Sequence, residues 1–283
     1  MDELLATRGL EALIVSTGID THTDLAIRGM EAGLHVLVEK PLCGTVDEIR
    51  QLRAAQRKAG RVVGLGHTDN QTDVYTRIAR EFLENGQLGT LACYEENTSN
   101  SGGLEIKPGE WRGLRDRNPG GMLIQCGVHA LHRLINVFRP VDNLQAMFRY
   151  DANPVTQTAD IANVLLRHKN GVLGTLNAYH VTGYCHEFRL FGTKENLYID
   201  TRNCRASYQP RLRNLVEERT PVKMPEIGPL DYVSNVVNFF KAISQGTPAS
   251  SSLEDGIAAV LPVFATELSE REGRRVSISE LTA

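Results

Sequence analysis

The chain has 283 residues, of which 41% are hydrophobic and 23% charged, and its formal net charge is −3. This composition predicts an ordinary globular core, and the near-neutral charge argues against nucleic acid or an anionic membrane surface as a partner. Five cysteines are scattered without a C-x-x-C pair, which disfavours a disulfide framework and a cysteine zinc site and fits the cytoplasm. With no run of eighteen apolar residues in the sequence, we expect neither a membrane span nor a signal peptide.

Short apolar runs alternate with amphipathic helices over the first 67 residues. Thr45 and Glu48 form a T-x-x-E capping box, which predicts the start of a helix that closes at Gly60. Alternating strands and helices with short connections are typical of a parallel, right-handed crossover unit. The predicted elements are, in order, a helix at 2–5, a strand at 12–15, a helix at 21–31, a strand at 35–40, a helix at 45–60 and a strand at 61–65.

The strand at 35–40 ends in a charged pair, Glu39 and Lys40, followed by Pro41. Proline cannot donate to a sheet ladder and restricts the residue before it, so the strand should stop at Lys40. Ligands of open α/β sheets bind outside the carboxyl ends of the strands. Lys40 is therefore placed where a lysine can serve chemistry, although a solvated strand-end lysine explains this residue alone equally well.

The pattern changes after His67, and we place a domain boundary there, between residues 1–67 and residues 68–283. Asn170-Gly171 separates two strand-like runs and is a hairpin signal, which indicates a mainly antiparallel sheet. The polar segment 97–121 predicts a long loop that is functional or disordered. Predicted helices lie at 74–86, 122–138, 232–245 and 253–271, with a kink at Pro262, and predicted strands lie at 91–94, 145–150, 159–167, 171–179 and 187–191.

The predicted helix at 122–138 carries His129 and His132, which are three residues apart and therefore share a face. Taken alone, His129 is more simply explained as a satisfied interior histidine than as a functional one. A metal site on the pair lacks an evident third ligand, and we predict none. Trp111 and Arg112 either line a substrate pocket or anchor the loop that contains them.

Five segments together resemble the Gfo/Idh/MocA family of oxidoreductases. The segment that ends in Glu39-Lys40-Pro41 is the most specific of them. The matching segments are, in chain order, Ser16-Thr17-x4-His22, Gly29-x3-Gly33-x-His35-Val36-Leu37-Val38-Glu39-Lys40-Pro41, Gly120-Gly121-x-Leu123-x-Gln125-x-Gly127-x-His129, Gly171-x2-Gly174-x-Leu176 with Phe191-Gly192-Thr193-Lys194, and Phe240-x2-Ile243-x2-Gly246 with Glu254-Asp255-Gly256.

The resemblance covers nearly the whole chain and implies an α/β fold. Residues 1–67 would be the C-terminal half of a Rossmann domain, with its doubly wound parallel sheet, and residues 68–283 an α/β domain with an open, mainly antiparallel sheet. The family implies hydride transfer between NAD or NADP and a sugar, a polyol or a related hydroxy compound. It commonly uses the antiparallel sheet for oligomer contacts, so we expect a homo-oligomer, a dimer or a tetramer.

The resemblance also implies roles for individual residues. Lys40 would hydrogen-bond the reacting oxygen and His129 would be the general acid–base. Gln125, from the same motif as His129, and Arg112, if its loop lines the pocket, are the further candidate substrate contacts. Both main roles are chemically sound, because an imidazole accepts a proton near neutrality and a lysine ammonium stabilises a developing alkoxide. The residues implied to lie near the nicotinamide and its ribose are Ser16, Thr17, His22, Glu39 and Lys40.

Two features depart from the family pattern. Gln125 stands where an aspartate is usual, and His132 replaces a later aspartate, so His129 should be a weaker base than the family norm. No G-x-G-x-x-G precedes Ser16, so the glycine loop for the pyrophosphate and the acid for the adenosine ribose are missing. The strand at 12–15 would then be an exposed apolar edge.

Three explanations of the missing glycine loop remain open. The intact enzyme starts further upstream, or the chain is a non-catalytic sugar-binding or regulatory relative that no longer binds dinucleotide, or another chain covers the open edge. Lys40 and His129 are both present, which favours an enzyme lineage. We expect this polypeptide to bind NAD(P) weakly or not at all, and micromolar binding of NADH would contradict that expectation.

Overall fold

A computed structural model describes residues 1–67, 73–211, 218–226 and 233–282. Two sheets organise these residues: a three-stranded parallel sheet near the N-terminus and a nine-stranded, mainly antiparallel sheet after it. This arrangement confirms the predicted α/β fold class, with a Rossmann-like sheet followed by a larger sheet. None of the described helices is long and apolar enough to cross a membrane.

The parallel sheet has the order β1-β2-β3, and both strand pairs are parallel, as predicted. The second strand ends two residues earlier than predicted, because Glu39 and Lys40 already belong to the turn before Pro41. The capping box is confirmed: the Glu48 carboxylate accepts from the Thr45 backbone N–H at 2.8 Å. The elements are α1 (Asp2–Leu5), β1 (Ala12–Val15), α2 (Ile19–Glu31), β2 (His35–Val38), α3 (Val46–Ala59) and β3 (Val63–Leu65).

Helices cover both faces of the parallel sheet. On one face α2 lies close to β2, where a Cβ at Gly29 would come within 3.2 Å of the Val36 side chain. On the other face lies α6 (Ser234–Gln245), whose Phe239 ring occupies the space above Gly64 of β3. The carboxyl-terminal part of the chain therefore returns to complete the first sheet, and the division at residues 67 and 68 stays a prediction.

The larger sheet has the strand order β11-β10-β9-β8-β4-β7-β6-β5-β12, in which β4 and β7 are parallel and the other pairs antiparallel. Its remaining elements are α4 (Val74–Glu84), β4 (Leu91–Ser99), α5 (Val128–Phe138), β5 (Val141–Arg149), β6 (Ile161–His168), β7 (Leu173–Tyr179), β8 (Cys185–Gly192), β9 (Glu195–Asp200), β10 (Arg205–Pro210), β11 (Thr220–Pro221), α7 (Leu253–Glu272), β12 (Val276–Ser277) and α8 (Ser279–Thr282).

An aromatic cluster fixes α5 against the inner face of this sheet. Tyr94 of β4 stacks on Phe138 of α5 with 4.8 Å between ring centroids, and its hydroxyl lies 2.8 Å from Nε2 of His168. Gly174 of the neighbouring strand makes room for the tyrosine, because a Cβ there would come within 2.4 Å of the ring. The helix that carries His129 is thus held by packing from β4, β6 and β7.

Several predicted boundaries differ from the structure. β4 extends to Ser99 rather than Tyr94, and the predicted loop at 97–121 contains two short 3₁₀ turns, Gly102–Glu105 and Trp111–Gly113. The helix predicted at 122–138 begins as a π-helix, Leu123–Gly127, before α5. The helix predicted at 253–271 is confirmed and continues through Pro262, whereas Tyr232, the predicted start of the preceding helix, lies outside the described residues.

Candidate active site

Lys40 lies in the turn that follows β2, at the carboxyl edge of the parallel sheet. Its Nζ donates a hydrogen bond of 2.9 Å to the backbone oxygen of Gln125. Because Gln125 belongs to the π-helix before α5, this bond joins the first sheet to the segment that precedes His129. Lys40 and Gln125 are far apart in sequence and were assigned to the site from separate motifs, and they therefore meet in the fold.

The turn around Lys40 is tightly packed. The Glu39 carboxylate accepts from the backbone N–H of Lys40 at 3.0 Å. A Cβ at Gly66, after β3, would lie 2.8 Å from that carboxylate and 3.0 Å from the Glu39 Cα. Only glycine allows the ends of β2 and β3 to approach this closely, so Gly66 helps to fix the position of the turn.

The π-helix Leu123–Gly127 follows two glycines in the left-handed region, Gly120 at φ 77° and Gly121 at φ 55°. A Cβ at Gly120 would come within 2.5 Å of Val263 in α7, so glycine is required by both backbone angle and space. Single π-turns are frequent at functional sites, because the widened turn displaces backbone and side chains from regular helical positions. Here the π-turn lies between the contact with Lys40 and His129.

His129 lies in the first turn of α5 beside His67, which follows β3 by two residues and was not predicted as a site residue. Its Nδ1 is 3.3 Å from Nδ1 of His67, and the two rings meet edge to face with centroids 5.1 Å apart. The His67 ring also stacks on His132 at 4.3 Å and 13°. Nε2 of His132 lies 3.2 Å from Oγ of Ser251, which ends this chain of contacts.

The electrostatic environment keeps His129 neutral. Burial lowers the pKa of His129 to about 3, and the positive charges of Lys40 and Arg133 act in the same direction. Burial also lowers the pKa of His67 well below its usual range. A neutral imidazole has one nitrogen free to accept a proton, and the lowered pKa makes His129 a weak base at neutral pH.

Arg133, on the same helix as His129, forms a buried ion pair. Nη1 of Arg133 is 2.9 Å from Oε1 of Glu96, and Nε of Arg133 is 3.7 Å from Oδ2 of Asp73. Burial raises the pKa of Glu96 to about 7, against the opposing effect of the Arg133 charge. Arg133 lies one residue after His132 and four after His129, and its charge disfavours a second positive charge on the histidine.

The cofactor-side candidates lie at the ends of β1 and β2, which are neighbours in the sheet with Val15 opposite Val38. Ser16 and Thr17 are exposed. His22 is buried, with Nδ1 2.8 Å from the backbone oxygen of Pro41 and Nε2 3.1 Å from that of Thr17. The structure therefore places His22 as a brace between the two strand-end turns, with both ring nitrogens occupied by backbone.

The two further substrate candidates have different surroundings. Gln125 is partly buried, and its side-chain nitrogen has no hydrogen-bond partner among the described residues. Arg112 is exposed, with Nη1 3.4 Å from Glu110 Oε1 and its guanidinium 4.4 Å above the Trp111 ring. Within the described chain, the hydrogen bonds and ion pairs of Arg112 do not join it to Lys40, Gln125 or His129, so only Gln125 is brought to the cluster.

Sequence reasoning missed His67, Ser251 and the pair of Arg133 with Glu96. His67 was named only as the residue where the sequence pattern changes. Its position just after a buried strand was a signal, because functional groups of an open α/β sheet lie at the carboxyl ends of its strands. The other residues lie inside a helix, a strand and a connection. Their proximity depends on long-range packing that no local pattern reports.

The carboxyl edge of the parallel sheet fits a nicotinamide nucleotide on the side of Lys40. Exposed Ser16 and Thr17 and the Glu39–Lys40 turn lie along it. The buried amide nitrogen of Gln125, whose backbone oxygen accepts from Lys40, has no partner among the described residues and is free to bind a ligand. In the described parts of the chain, no group of three or more His, Cys, Asp or Glu side chains is arranged to hold a metal ion.

A Rossmann-like sheet with a lysine at its carboxyl edge and a neutral histidine nearby is the arrangement expected of an NAD-binding oxidoreductase. Residues 1–67 match the family model described as the oxidoreductase family with an NAD-binding Rossmann fold, and residues 76–198 match the GFO/IDH/MocA C-terminal domain. The chain belongs to the GFO/IDH/MocA family of oxidoreductases.

Curated relatives include inositol dehydrogenases. Myo-inositol 2-dehydrogenase of Thermotoga maritima is 23% identical over 99% of this chain and 83% of its own length. The NAD(+)-dependent scyllo-inositol 2-dehydrogenase of Bacillus subtilis is 25% identical over 70% of this chain, which spans only 58% of that enzyme. A solved structure of levoglucosan dehydrogenase in complex with NADH shares the fold, with a TM-score of 0.85 and 18% identity over 98% of this chain and 82% of its own.

Proposed function

We propose that the chain catalyses hydride transfer between NAD or NADP and a carbon that bears a hydroxyl group in a sugar, a polyol such as an inositol, or a related compound. The observation that carries the proposal is the contact of Lys40 Nζ with the Gln125 backbone, which brings the lysine to the segment before a neutral His129. The inositol dehydrogenases among the relatives support the substrate class.

The two side chains divide the work of alcohol oxidation. When bound, the nicotinamide ring supplies the acceptor for the hydride. The Lys40 ammonium donates a hydrogen bond to the substrate oxygen and stabilises the negative charge that grows on it as the C–H bond breaks. His129 accepts the hydroxyl proton at Nε2, because its Nδ1 faces His67. In the reverse direction the same nitrogen returns the proton to the oxygen.

The remaining site residues have supporting roles in this proposal. Ser16, Thr17 and Glu39 lie along the edge where the nicotinamide ribose would be held, and His22 keeps the two strand-end turns together. Gln125 offers its free amide nitrogen to the substrate. Arg112 is the candidate with the weakest structural support, because its charge is already engaged by Glu110 and Trp111.

A second candidate function is a non-catalytic sugar-binding or regulatory module. The observation that favours it is the pKa of His129, which burial lowers to about 3, because an imidazole with so low a pKa is a weak proton acceptor at neutral pH. The two functions differ in one measurable property. A binding module gives sugar affinity without nucleotide turnover, whereas the enzyme reduces NAD⁺ or NADP⁺ in the presence of the correct alcohol.

We also propose a homo-oligomer, a dimer or tetramer, in the cytoplasm. The outer face of the larger sheet exposes the apolar side chains of Met147 (72%) and Leu165 (61%), and exposed apolar side chains on a sheet can form a protein interface.

The cytoplasm is proposed because all five cysteines are free, which fits a reducing compartment.

The decisive experiment measures turnover of the whole chain with NAD⁺ and NADP⁺ at millimolar concentration over a panel of inositols, sugars and sugar alcohols. We expect activity that Lys40→Ala and His129→Ala lower by roughly 100-fold or more, because each removes a group that acts on the reacting oxygen. Lys58→Ala on the exposed side of α3 is the matched control and should keep its rate.

Nucleotide binding is measured separately, by energy transfer from Trp111 to NADH. His129→Ala should keep the affinity of the unmodified chain while it loses turnover, since the histidine acts on the substrate proton. A folded protein that binds a sugar but reduces neither nucleotide would contradict the enzyme and leave the binding module.

A further inference from the structure

A chain of four side chains runs from Ser251 through His132 and His67 to His129. The fully buried His67 lies two residues after β3. The His67 ring is held on one side by the stacked ring of His132, which is itself anchored by Ser251. On the other side its Nδ1 lies 3.3 Å from Nδ1 of His129. Its Nε2 is buried and has no hydrogen-bond partner in the part of the chain that the structure describes.

Two Nδ1 atoms at this distance form a hydrogen bond only when one of them carries a proton and the other does not. Because both rings are neutral, two arrangements satisfy this condition. Either His129 carries its proton on Nδ1 and donates to His67, which leaves Nε2 of His129 bare, or His67 donates and His129 carries its proton on Nε2. Only the first arrangement makes Nε2 of His129 a base.

The proposed hydride transfer selects the first arrangement, because it requires Nε2 of His129 to accept the substrate proton. The charged and titratable groups that act on the pKa of His129 are Lys40 from the turn after β2, His132 and Arg133 from α5, and His186 from β8. His67 is the group that lies within hydrogen-bonding distance of its Nδ1. No carboxylate is among these groups to hold a proton on the ring.

We propose that His67 is a positioning residue that accepts the Nδ1 proton of His129 and thereby keeps Nε2 of His129 unprotonated toward the substrate. This inference deepens the proposed hydride transfer and rests on it for its catalytic meaning. His67 orients the ring of His129 with a side chain that is itself neutral. Gln125, at the position where an orienting group would be expected, makes no side-chain hydrogen bond to His129 among the described residues.

The arrangement also affects His129 after it has taken the substrate proton. When Nε2 of His129 takes the substrate proton, the ring becomes a cation whose Nδ1–H already points at His67. The bond between the two Nδ1 atoms then becomes charge-assisted and stronger, which stabilises the protonated base. The stack with His132 prevents the His67 ring from turning away at that moment.

The first test needs neither substrate nor nucleotide. Nitrogen-15 NMR of the whole protein labelled at histidine reports which ring nitrogen carries the proton, and the His129 signals are identified by their loss in His129→Gln. We expect His129 in the Nδ1-protonated form, with Nε2 bare, and a shift toward the Nε2-protonated form in His67→Phe. An Nε2-protonated His129 in the unmodified protein, or no change in His67→Phe, would overturn the inference.

The second test is kinetic. His67→Phe keeps a stacked ring without an acceptor and should lower kcat by about 10- to 100-fold at unchanged KM. His67→Asn places an amide oxygen near the former Nδ1 and should restore most of kcat, which loss of packing alone would not explain. His35→Phe, a histidine at the start of β2 away from the site, should keep kcat within about twofold. Equal losses in His67→Phe and His67→Asn would overturn the inference.

The two tests separate this inference from the proposed function. If no alcohol is oxidised by the unmodified protein, the proposed hydride transfer fails, while the NMR measurement still decides whether His67 sets the protonation of His129. Circular dichroism on each variant identifies a failure to fold, and His67→Asn, the smaller change, keeps the comparison available when His67→Phe does not fold.

Discussion

Two neutral histidines, His67 and His129, lie at the centre of the site, the first fully buried and the second partly exposed. Burial lowers the pKa of both, and it does so because the charged imidazolium loses its hydration there. The environment that keeps His129 unprotonated therefore also makes its protonation unfavourable in the folded state. The activity of His129 as a base and the stability of the folded protein therefore both depend on pH.

The linkage predicts a sensitivity to acid. The folded pKa of His129, about 3, lies below the unfolded value of about 6.5, so the unfolded chain binds more protons between these limits. The resulting stability is complete above about pH 6.5 and is lost as the pH falls through the range toward 3. Between about pH 7.5 and pH 5 the melting temperature should therefore fall by about 2–4 °C more in the unmodified protein than in His129→Gln.

Calorimetry or circular dichroism at the two pH values measures this difference. The comparison has an internal control at the higher pH, where His129 is neutral in both the folded and unfolded states and contributes no linkage. Parallel melting curves for the two proteins at every pH would mean that His129 is hydrated and readily protonated in the native state.

At the scale of single elements, α6 determines whether the parallel sheet is covered on both faces. Phe239 of α6 is 1% exposed, and its ring lies so close to Gly64 of β3 that a Cβ there would be 2.9 Å away. The next residue, Phe240, points to solvent and is 49% exposed. The helix therefore offers two neighbouring aromatic rings of identical chemistry and opposite burial.

Phe239→Ala should lower the free energy of unfolding by about 3–5 kcal/mol, because it removes a buried ring and leaves a cavity over β2 and β3. Phe240→Ala is the matched control and should change it by no more than about 0.5 kcal/mol. Urea denaturation followed by circular dichroism measures both. Similar small effects of the two substitutions would show that α6 does not pack on the sheet as the structure describes.

Elements whose pattern is local were predictable from the sequence. The capping box at Thr45 and the apolar run at 12–15 are read from a few neighbouring residues, and both are confirmed. The position of β4 between β7 and β8 was not predictable, because it depends on pairing with strands about 80 and 95 residues later in the chain. The π-turn at Leu123–Gly127 was read as an ordinary helix, since its apolar residues have helical spacing.

The same division holds for the candidate site. Lys40 and His129 were found because each lies in a segment with its own signature. His67 has no signature, and its importance arises only when β3 and α5 bring it to Nδ1 of His129. His22 shows the opposite case: its segment suggested a place beside the cofactor, and its two backbone contacts show that the ring also braces the fold.

At the scale of the molecule, the nine-stranded sheet has one face covered by helices and one face without a covering element among the described residues. On the open face, Met147 of β5, Leu165 of β6 and Leu173 of β7 are 72%, 61% and 44% exposed. They are on the same side because side chains alternate along a strand and Gln145 lies opposite Leu165 in the register. Exposed apolar side chains that share the open face of a sheet mark a surface suited to bind another protein chain.

Leu165→Glu should therefore lower the oligomeric state. Two copies joined by this face would place Leu165 in a desolvated interface, where an unpaired carboxylate is strongly unfavourable. Light scattering after gel filtration should give a multiple of 31.3 kDa for the unmodified protein and a smaller multiple, or the single-chain mass, for the variant. Leu104→Glu, at a leucine that is 58% exposed in the 3₁₀ turn outside the sheet, is the control and should keep the original mass. A monomer in the unmodified protein would show that the apolar face is not used for self-association, and the same mass in both variants would place the interface elsewhere.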